Sequence, residues 1–269
     1  MRALASALAG EPGPLDAPAL EMASIEFPGL DPKPFLERLD DMAAELRACT
    51  EGMSGPEFVA RANTYLFEDI GFRGNERDYY DPRNSCLNWV LEQRTGLPIT
   101  LSLVYIEVAR RIERPVAGVG LPGHFIVKYD DGAWSTYMDP FNGGKLLSER
   151  DCMELAQSIA GEAAAADPAV LGPVSGRYIL VRMLNNLRGA YFRAERFDRA
   201  SVVLDLLVEA SPDSPIYYKG RAIARIHLRR FREAQSDFER YLTLDPQASD
   251  REEVTKQMQA IHRWLGALN

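Results

Sequence analysis

Two stretches, FDRASVVLDLLVEASP at residues 197–212 and FREAQSDFERYLTLDP at residues 231–246, decide the fold of the C-terminal part of this chain. A shift of 34 residues aligns positions of similar character: Phe197 with Phe231, Ala200 with Ala234, Leu204 with Phe238 and Pro212 with Pro246. Each stretch begins with an aromatic residue, carries a small residue where helices cross, and closes with a proline. A repeat with this period predicts stacked pairs of antiparallel helices.

The 34-residue period with these features is the tetratricopeptide pattern. In the first repeat, Leu184, Leu187 and Tyr191 mark helix A, and Phe197–Ala210 forms helix B. In the second repeat, helix A contains Tyr218 and Ala222, and helix B spans Phe231–Leu244. A final helix over Asp250–Leu268 would cap the stack, because a stack exposes its last apolar face. We therefore predict an all-α unit over residues 177–269.

A tetratricopeptide stack presents a concave groove, so residues on the helix A faces are candidates for binding a protein or peptide. These candidates are Asn185, Arg188, Tyr191, Arg221 and Arg225. Arg221 and Arg225 also depart from the repeat pattern, which expects apolar or aromatic residues there. The alternative interpretation of all five is ordinary solvated helix surface.

Residues 30–160 show a different period and predict an α+β core. Short runs rich in β-branched and aromatic residues, at residues 116–119, 125–129 and 134–138, predict three strands. The Asp-Asp-Gly turn at residues 130–132 predicts an antiparallel hairpin between the last two. The apolar run Thr100–Ile112 predicts a central helix beside this sheet.

Capping motifs and a stretch rich in small residues predict where further helices begin and where the two units are joined. Ser54 with Glu57, and Ser148 with Asp151, have the spacing of helix-starting capping boxes. The Ala-, Gly- and Pro-containing stretch Gly161–Gly176 predicts a linker between the two units.

Composition excludes several classes of protein. Of 269 residues, 46% are hydrophobic and 26% are charged, so global disorder is not expected. A net charge of −8 argues against a nucleic-acid-binding role, which normally depends on a basic face. The apolar run at residues 3–9 is too short for a signal peptide, and no run is long enough for a membrane span.

The three cysteines, Cys49, Cys86 and Cys152, lie far apart and predict buried small side chains in a reducing compartment. They and the three histidines lack the spacing of a zinc site. We therefore expect a cytoplasmic protein without a metal or another cofactor, and with no nucleic-acid or membrane partner. The sequence does not determine the oligomeric state.

His124 is the histidine whose position indicates chemistry. It directly follows Gly120-Leu-Pro-Gly123 at the start of a predicted strand, and Asp139-Pro140 comes at the end of the next strand. The hairpin brings a strand start and a strand end together, so the imidazole is expected beside the carboxylate. Such a carboxylate orients a catalytic base and stabilises its cation. A purely structural hydrogen bond is the alternative.

A nucleophile for this pair is expected at a helix N-terminus, where the dipole favours an anion. The helix that follows Gly96-Leu-Pro98 offers Thr100 and Ser102 but no cysteine. Thr100 has an alternative role as the N-cap of that helix. Cys86, one helix upstream, is a further candidate.

Several motifs together resemble the SirB-type bacterial family. They are GLPITLS at residues 96–102, VGLPGHF at 119–125, DPFNGG at 139–144, DYYDPRNS at 78–85 and NWVL at 88–91. The resemblance covers roughly residues 30–250 and implies a transglutaminase-like, papain-like core followed by tetratricopeptide repeats. The wider superfamily uses a cysteine at a helix N-terminus, then a histidine and an aspartate on adjacent strands. His124, Trp134 and Asp139-Pro140 match its strand pattern.

The nucleophile departs from the pattern that the resemblance implies. Counting back from Pro115 brings the cysteine position close to Thr100, and Glu113 stands where the superfamily has glycine. A threonine hydroxyl has a far higher pKa than a thiol, so acyl-thioester chemistry is not expected. We therefore predict a non-catalytic or regulatory protein that binds a protein or peptide. The alternative is an amide-bond hydrolase or acyltransferase with Thr100 or Ser102 as a hydroxyl nucleophile.

Overall fold

The computed structural model of the chain describes residues 1–161 and 168–266. It divides into two compact units, Met1–Met183 and Leu184–Asn269. Residues 162–167 of the predicted linker, and the end of the predicted capping helix, lie outside the described residues. The bounds 30–160 and 177–269 therefore remain a prediction.

The first unit begins with helices that precede the predicted core. They are α1 (Arg2–Leu8), α2 (Asp16–Ala23), α3 (Lys33–Thr50) and α4 (Gly55–Asn63), the last followed by a π-helical turn at Thr64–Asp69. The predicted capping box at the start of α4 is confirmed: the Glu57 carboxylate accepts the Ser54 N–H at 2.9 Å. Residues 1–30 contain α1 and α2 and belong to the same compact unit.

Two helices separate these elements from the main sheet. They are α5 (Leu87–Gln93) and α6 (Pro98–Arg111). The prediction of a central helix is confirmed, because nearly every side chain of α6 is buried. Thr100 is not its N-cap, as the alternative interpretation held: Leu97 occupies that position, and Pro98 begins the helix, where a proline costs no hydrogen bond.

The sheets were predicted in part. Strands β1 (Arg73–Gly74) and β2 (Thr95–Gly96) form a short parallel pair, which was not predicted because each strand has only two residues. The main antiparallel sheet has the order β3 (Val116–Val119), β4 (Ile126–Asp130), β5 (Ser135–Asp139) and β6 (Lys145–Leu147). The predicted hairpin is confirmed, with Val127 opposite Met138, while β6 was not predicted because it has only three residues.

Helix α6 contacts β3 and β4, and further helices follow the sheet. These are α7 (Glu149–Ala160), which begins at the predicted Ser148 capping box, and α8 (Gly176–Arg193), within which the two units divide. An apolar cluster joins the sheet to α7, and its buried members are Val119, Leu121, Ile126, Tyr137, Leu147, Cys152 and Leu171.

The second unit continues with four helices: α9 (Phe197–Ala210), α10 (Pro215–His227), α11 (Phe231–Leu244) and α12 (Arg251–Gly266). The two predicted B helices have the predicted ends, because the proline-closed period encodes them locally. The aligned small and aromatic residues are buried: Ala200, Leu204, Ala234 and Phe238. None of the helices in the described ranges combines the length and apolar content that a bilayer crossing requires.

Candidate functional site

His124 and Asp139 lie together, and the hairpin between β4 and β5 is the reason. One residue, Phe125, separates His124 from the start of β4, and Asp139 is the last residue of β5. The Nε2 atom of His124 lies 2.9 Å from Oδ2 of Asp139, and both side chains are buried. Gly123, with a φ of 72°, supplies the left-handed turn that leads into His124.

The Asp139 carboxylate is saturated with donors. Oδ1 accepts the backbone N–H groups of Phe141 at 3.0 Å and Asn142 at 3.4 Å. Oδ2 accepts the Asn142 Nδ2 amide at 2.8 Å, besides the contact with His124. Burial by itself raises the pKa of Asp139, but these hydrogen bonds and the attraction of the imidazole outweigh it and lower that pKa below its ordinary value. Asp139 therefore holds the Pro140–Asn142 turn in place while it orients His124.

The histidine is fixed on its other sides as well. Its backbone oxygen accepts Nη2 of Arg182 at 2.6 Å, and the Phe141 ring meets the imidazole edge-on with centroids 6.2 Å apart. When Nε2–H donates to Asp139, Nδ1 is the ring nitrogen that can act as a base. The pair thus has the geometry of a base and its orienting carboxylate.

Thr100 bonds to the backbone and not to His124. Its side chain is fully buried, and its hydroxyl donates to the backbone oxygen of Asn84 at 2.9 Å. Among the contacts of the described residues, no hydrogen bond joins this hydroxyl to His124. The residue predicted as the first nucleophile candidate therefore ties the start of α6 to the segment before α5.

The other two candidates are also buried. The Ser102 side chain is fully buried, and its hydroxyl has no hydrogen-bond partner among the described residues. Cys86 is fully buried at the N-cap of α5, with Sγ 3.7 Å from the backbone oxygen of Pro82. None of the three candidate nucleophiles is exposed to solvent in this structure.

Asn84 is a key residue that the sequence analysis did not single out. Its buried side-chain amide donates to the backbone oxygens of Asp78 and Tyr79, and its Oδ1 accepts Nδ2 of Asn75 at 2.9 Å. Together with the Thr100 contact, these bonds hold the segment of residues 75–79 against α6. Asn84 lies within the motif at residues 78–85, which marked this segment as important. The motif does not show which groups the asparagine side chain bonds to.

A polar cavity of about 700 Å³ lies next to the histidine–aspartate pair. Its walls are residues 73–77, Thr95 and residues 141–143. Phe141 and Asn142 belong both to this wall and to the surroundings of the pair. In the described part of the chain, no group of three His, Cys, Asp or Glu side chains is arranged to hold a metal ion.

The predicted groove residues of the first repeat have different surroundings. The amide of Asn185 donates to the Tyr217 hydroxyl at 3.0 Å, and Arg188 lies over the Tyr217 ring at 5.6 Å. Burial lowers the pKa of Arg188, whose guanidinium makes no ion pair with any described residue. Tyr191 is fully buried, so it packs in the core instead of lining an open groove.

The two arginines predicted as groove residues of the second repeat are engaged inside the fold. Arg221 binds Asp237 through two nitrogens, at 2.7 and 3.0 Å, and Arg225 reaches the same carboxylate at 2.6 Å. Both arginines also contact Asp205 of α9. The structure thus gives them a role in joining α9, α10 and α11, and their role as ligand contacts remains a prediction.

Comparison with family models agrees with this architecture. Residues 33–185 match a model of the transglutaminase-like superfamily, and residues 187–259 match a tetratricopeptide-repeat model. The fold class predicted from the sequence is therefore confirmed: an α+β transglutaminase-like core followed by helical repeats.

Relatives extend over most of the chain. A UPF0162 protein of Xylella fastidiosa is 41% identical over 239 residues, which cover 87% of this chain and 84% of that protein. The UPF0162 protein of Pseudomonas aeruginosa is 29% identical over 80% of this chain and 78% of its own length. F-box only protein 21 of Pongo abelii is 32% identical over 68% of this chain, which is 31% of that protein. The chain belongs to the transglutaminase-like superfamily and, within it, to the family of the UPF0162 proteins.

Proposed function

We propose that this chain is a non-catalytic protein that binds a protein or peptide, with a transglutaminase-like site that has lost its nucleophile. One observation carries the proposal: the Thr100 hydroxyl, at the position closest to that of the missing cysteine, is buried and donates to the Asn84 carbonyl. A hydroxyl nucleophile needs a base that accepts its proton. A backbone carbonyl that accepts this proton is not such a base.

The surroundings of the pair support a structural role. Asp139 caps the Pro140–Asn142 turn through two backbone N–H groups besides contacting His124. This is the hydrogen-bond pattern of a residue that organises a loop, and it persists without any reaction. The histidine–aspartate pair then serves to fix the wall of the polar cavity.

Binding of a protein or peptide is the general role of tetratricopeptide repeats, and Arg188 supports it here. A half-buried guanidinium without an ion pair among the described residues is costly unless an external acceptor completes it. Carboxylates are the natural acceptors, because their two oxygens match the guanidinium fork. We also propose a cytoplasmic location, supported by three cysteines of which none forms a disulfide.

A second candidate function is catalytic and uses the histidine–aspartate pair. The 2.9 Å contact between His124 and Asp139 supports an amide-bond hydrolase or acyltransferase with a hydroxyl nucleophile. This function would require Thr100 or Ser102 to leave its buried position when a substrate binds.

Turnover of amide substrates distinguishes the two functions. The full chain is incubated with a fluorogenic peptide amide, and separately with a glutamine peptide and a fluorescent primary amine. Wild type, Thr100→Val, Thr100→Ser and His124→Ala are compared. We expect background rates that are the same in all four proteins. Turnover that survives in Thr100→Ser and is lost in both Thr100→Val and His124→Ala would instead establish the enzyme.

The binding half of the proposal is tested separately. The full chain and its Arg188→Gln variant are used to capture and cross-link proteins from a bacterial lysate. We expect wild type to capture a defined set of partners that the Arg188→Gln variant retains poorly. The matched control is Arg232→Gln, which changes an exposed arginine on α11 and should retain the same partners as wild type. A set of captured proteins that is the same for all three baits contradicts groove binding through Arg188.

A further inference from the structure

We propose that the polar cavity beside the histidine–aspartate pair binds an acidic peptide segment through Arg73 and Arg77. The inference rests on the proposed function, in which the chain binds protein or peptide, and adds a binding site outside the repeats. The cavity, of about 700 Å³, has the size of a site for several amino-acid side chains.

The lining of the cavity carries more positive than negative side chains. Arg73 and Arg77 line the cavity, and neither forms an ion pair with any described residue. Other arginines of the chain are paired; Arg83, for example, contacts the Asp81 carboxylate two residues away. Glu76 is the one acidic residue on the described lining. The cavity is therefore locally cationic on a protein whose net charge is −8.

The walls of the cavity are fixed before any ligand arrives. Phe141 packs on the backbone at Gly74 so closely that a Cβ there would lie 2.6 Å from its ring. Asn75 is held by Asn84, and Asn142 is held by Asp139. A preformed wall lowers the entropic cost of binding, because the protein orders little on association. The histidine–aspartate pair thereby acts as a support for this wall.

The chemistry of the rim favours a peptide over a free oxyanion. A guanidinium binds a carboxylate through two parallel hydrogen bonds, which explains why arginines recognise acidic side chains. Tyr79 and Tyr80 are 38% and 56% exposed, and the Tyr79 ring meets the cavity-lining Phe141 ring with centroids 6.1 Å apart. Exposed tyrosines are enriched at protein-binding surfaces, where they cover apolar stems of the partner. A small inorganic anion would not use them.

Anisotropy of labelled peptides tests the inference with the full chain. The probes are fluorescein-labelled dodecapeptides of alternating glutamate and alanine, and the same peptide with glutamine in place of glutamate. We expect the glutamate peptide to bind more tightly, and its affinity to fall as NaCl rises from about 50 to about 300 mM. Arg73→Gln and Arg77→Gln should each weaken binding about three- to tenfold.

Two control variants make the result specific. Glu76→Gln removes the acidic residue of the lining and should tighten binding of the glutamate peptide. Arg232→Gln makes the same change in charge on α11 and should leave the affinity unchanged. Because Arg73 and Arg77 are exposed and without ion pairs among the described residues, their variants should keep the wild-type melting temperature, which circular dichroism checks.

The contrary outcomes are distinct. Equal binding of the two peptides, or no binding of either, overturns the inference. Binding that Arg188→Gln abolishes while the cavity variants retain it moves the peptide to the repeats, which overturns the inference and leaves the proposed function standing. If inorganic phosphate binds in titration calorimetry, is lost in Arg73→Gln, and no peptide binds, the cavity takes a free oxyanion and the peptide proposal is wrong.

Discussion

Arg221 donates Nε and Nη2 to the two carboxylate oxygens of Asp237, at 3.0 and 2.7 Å, from positions that the first repeat fills with Leu187 and Val203. The 34-residue shift places Arg225 on Tyr191 in the same way. Three buried residues of the first repeat, Leu187, Tyr191 and Val203, thus correspond to a largely buried network of ion-paired residues in the second. Burying either arginine without a partner would lower the stability of the fold. The attraction between Arg221, Arg225 and Asp237 compensates for that desolvation, because the three charged residues occur together.

This correspondence predicts a coupled effect on stability. Asp237→Val alone should lower the free energy of unfolding by about 2–4 kcal/mol, because it leaves two largely buried guanidiniums with only the half-exposed Asp205 as a shared partner. The triple variant Arg221→Leu, Arg225→Tyr, Asp237→Val restores the residues of the first repeat and should lie within about 1 kcal/mol of wild type or above it. Urea unfolding of the full chain measures both.

Asp205 provides the control for this network. Its side chain is 47% exposed, against 4% for Asp237, although it contacts the same arginines. Asp205→Asn should therefore cost no more than about 1 kcal/mol. A triple variant as unstable as the single Asp237→Val would show that the network contributes more than an apolar cluster in its place.

Removal of the His124 imidazole should destabilise the first unit. His124→Ala deprives a buried carboxylate of one donor, so we expect a loss of about 1–3 kcal/mol in the free energy of unfolding. His262→Ala, at an exposed position on α12, should change stability by less than about 0.5 kcal/mol. Equal melting curves for the two variants would contradict a structural role for the pair.

Asp139 should also shape the acid limb of stability. Its pKa is lower in the folded protein than in the unfolded chain, where it is about 4, so the folded state favours the ionised form. That contribution is complete above the unfolded pKa and is lost as pH falls toward the lower folded value. Urea unfolding from about pH 7 to about pH 3 should show a smaller acid-induced loss for Asp139→Asn than for wild type. A parallel loss in both proteins would refute this assignment.

The cysteines should differ in reactivity. Cys49 is partly exposed, which corrects the prediction that all three are buried, so iodoacetamide should label it first. Cys152 is buried, and burial raises the pKa of its thiol to about 12, so it should react only in unfolded protein. Cys86 and a Thr100→Cys variant should resist labelling too, because both positions are fully buried. Mass spectrometry of the native and urea-treated protein checks this order, and rapid native labelling of Cys86 would revive it as a nucleophile.

Arg111 should hold the N-terminal helices to α6. It pairs with Asp16 of α2, Asp40 of α3 and Glu107 of its own helix, and Glu107 also accepts the Leu15 N–H at 2.7 Å. Arg111→Met leaves the buried Asp16 and Glu107 carboxylates with only the half-exposed Arg110 as a cationic partner, so it should cost about 2–4 kcal/mol in urea unfolding. Arg110→Met removes a side chain that is 44% exposed, against 12% for Arg111, and should cost no more than about 1 kcal/mol.

The Arg111 effect should depend on pH. Burial and the neighbouring Asp16 carboxylate raise the pKa of Glu107, so the folded protein binds its proton more tightly than the unfolded chain does. Loss of the guanidinium should raise that pKa further. Protonation then offsets the missing cation, and the deficit of Arg111→Met should be smaller at about pH 5 than at about pH 7.5. A deficit that is constant with pH would contradict the role of Glu107.

Much of this architecture follows from the sequence by itself, because the deciding signals are local. The 34-residue period determines α9 and α11 to the residue, since each helix lies between an aromatic start and a closing proline. The Asp-Asp-Gly turn determines the β4–β5 hairpin, and the hairpin brings His124 to Asp139. Helix periodicity and turn-forming residues depend on near neighbours along the chain, so these elements can be predicted from a single sequence.

Only the tertiary structure decided which polar groups find one another across long separations. The threonine at the predicted nucleophile position is paired with an Asn84 carbonyl sixteen residues away, and Arg221, which the sequence predicted to line a groove, is paired with Asp237 on another helix. The cavity forms where β1, β2 and the turn after Asp139 meet, three segments with no common local pattern. A side chain's type states what it can bond, but its partner is set by how helices and strands pack, and packing is a property of the whole fold.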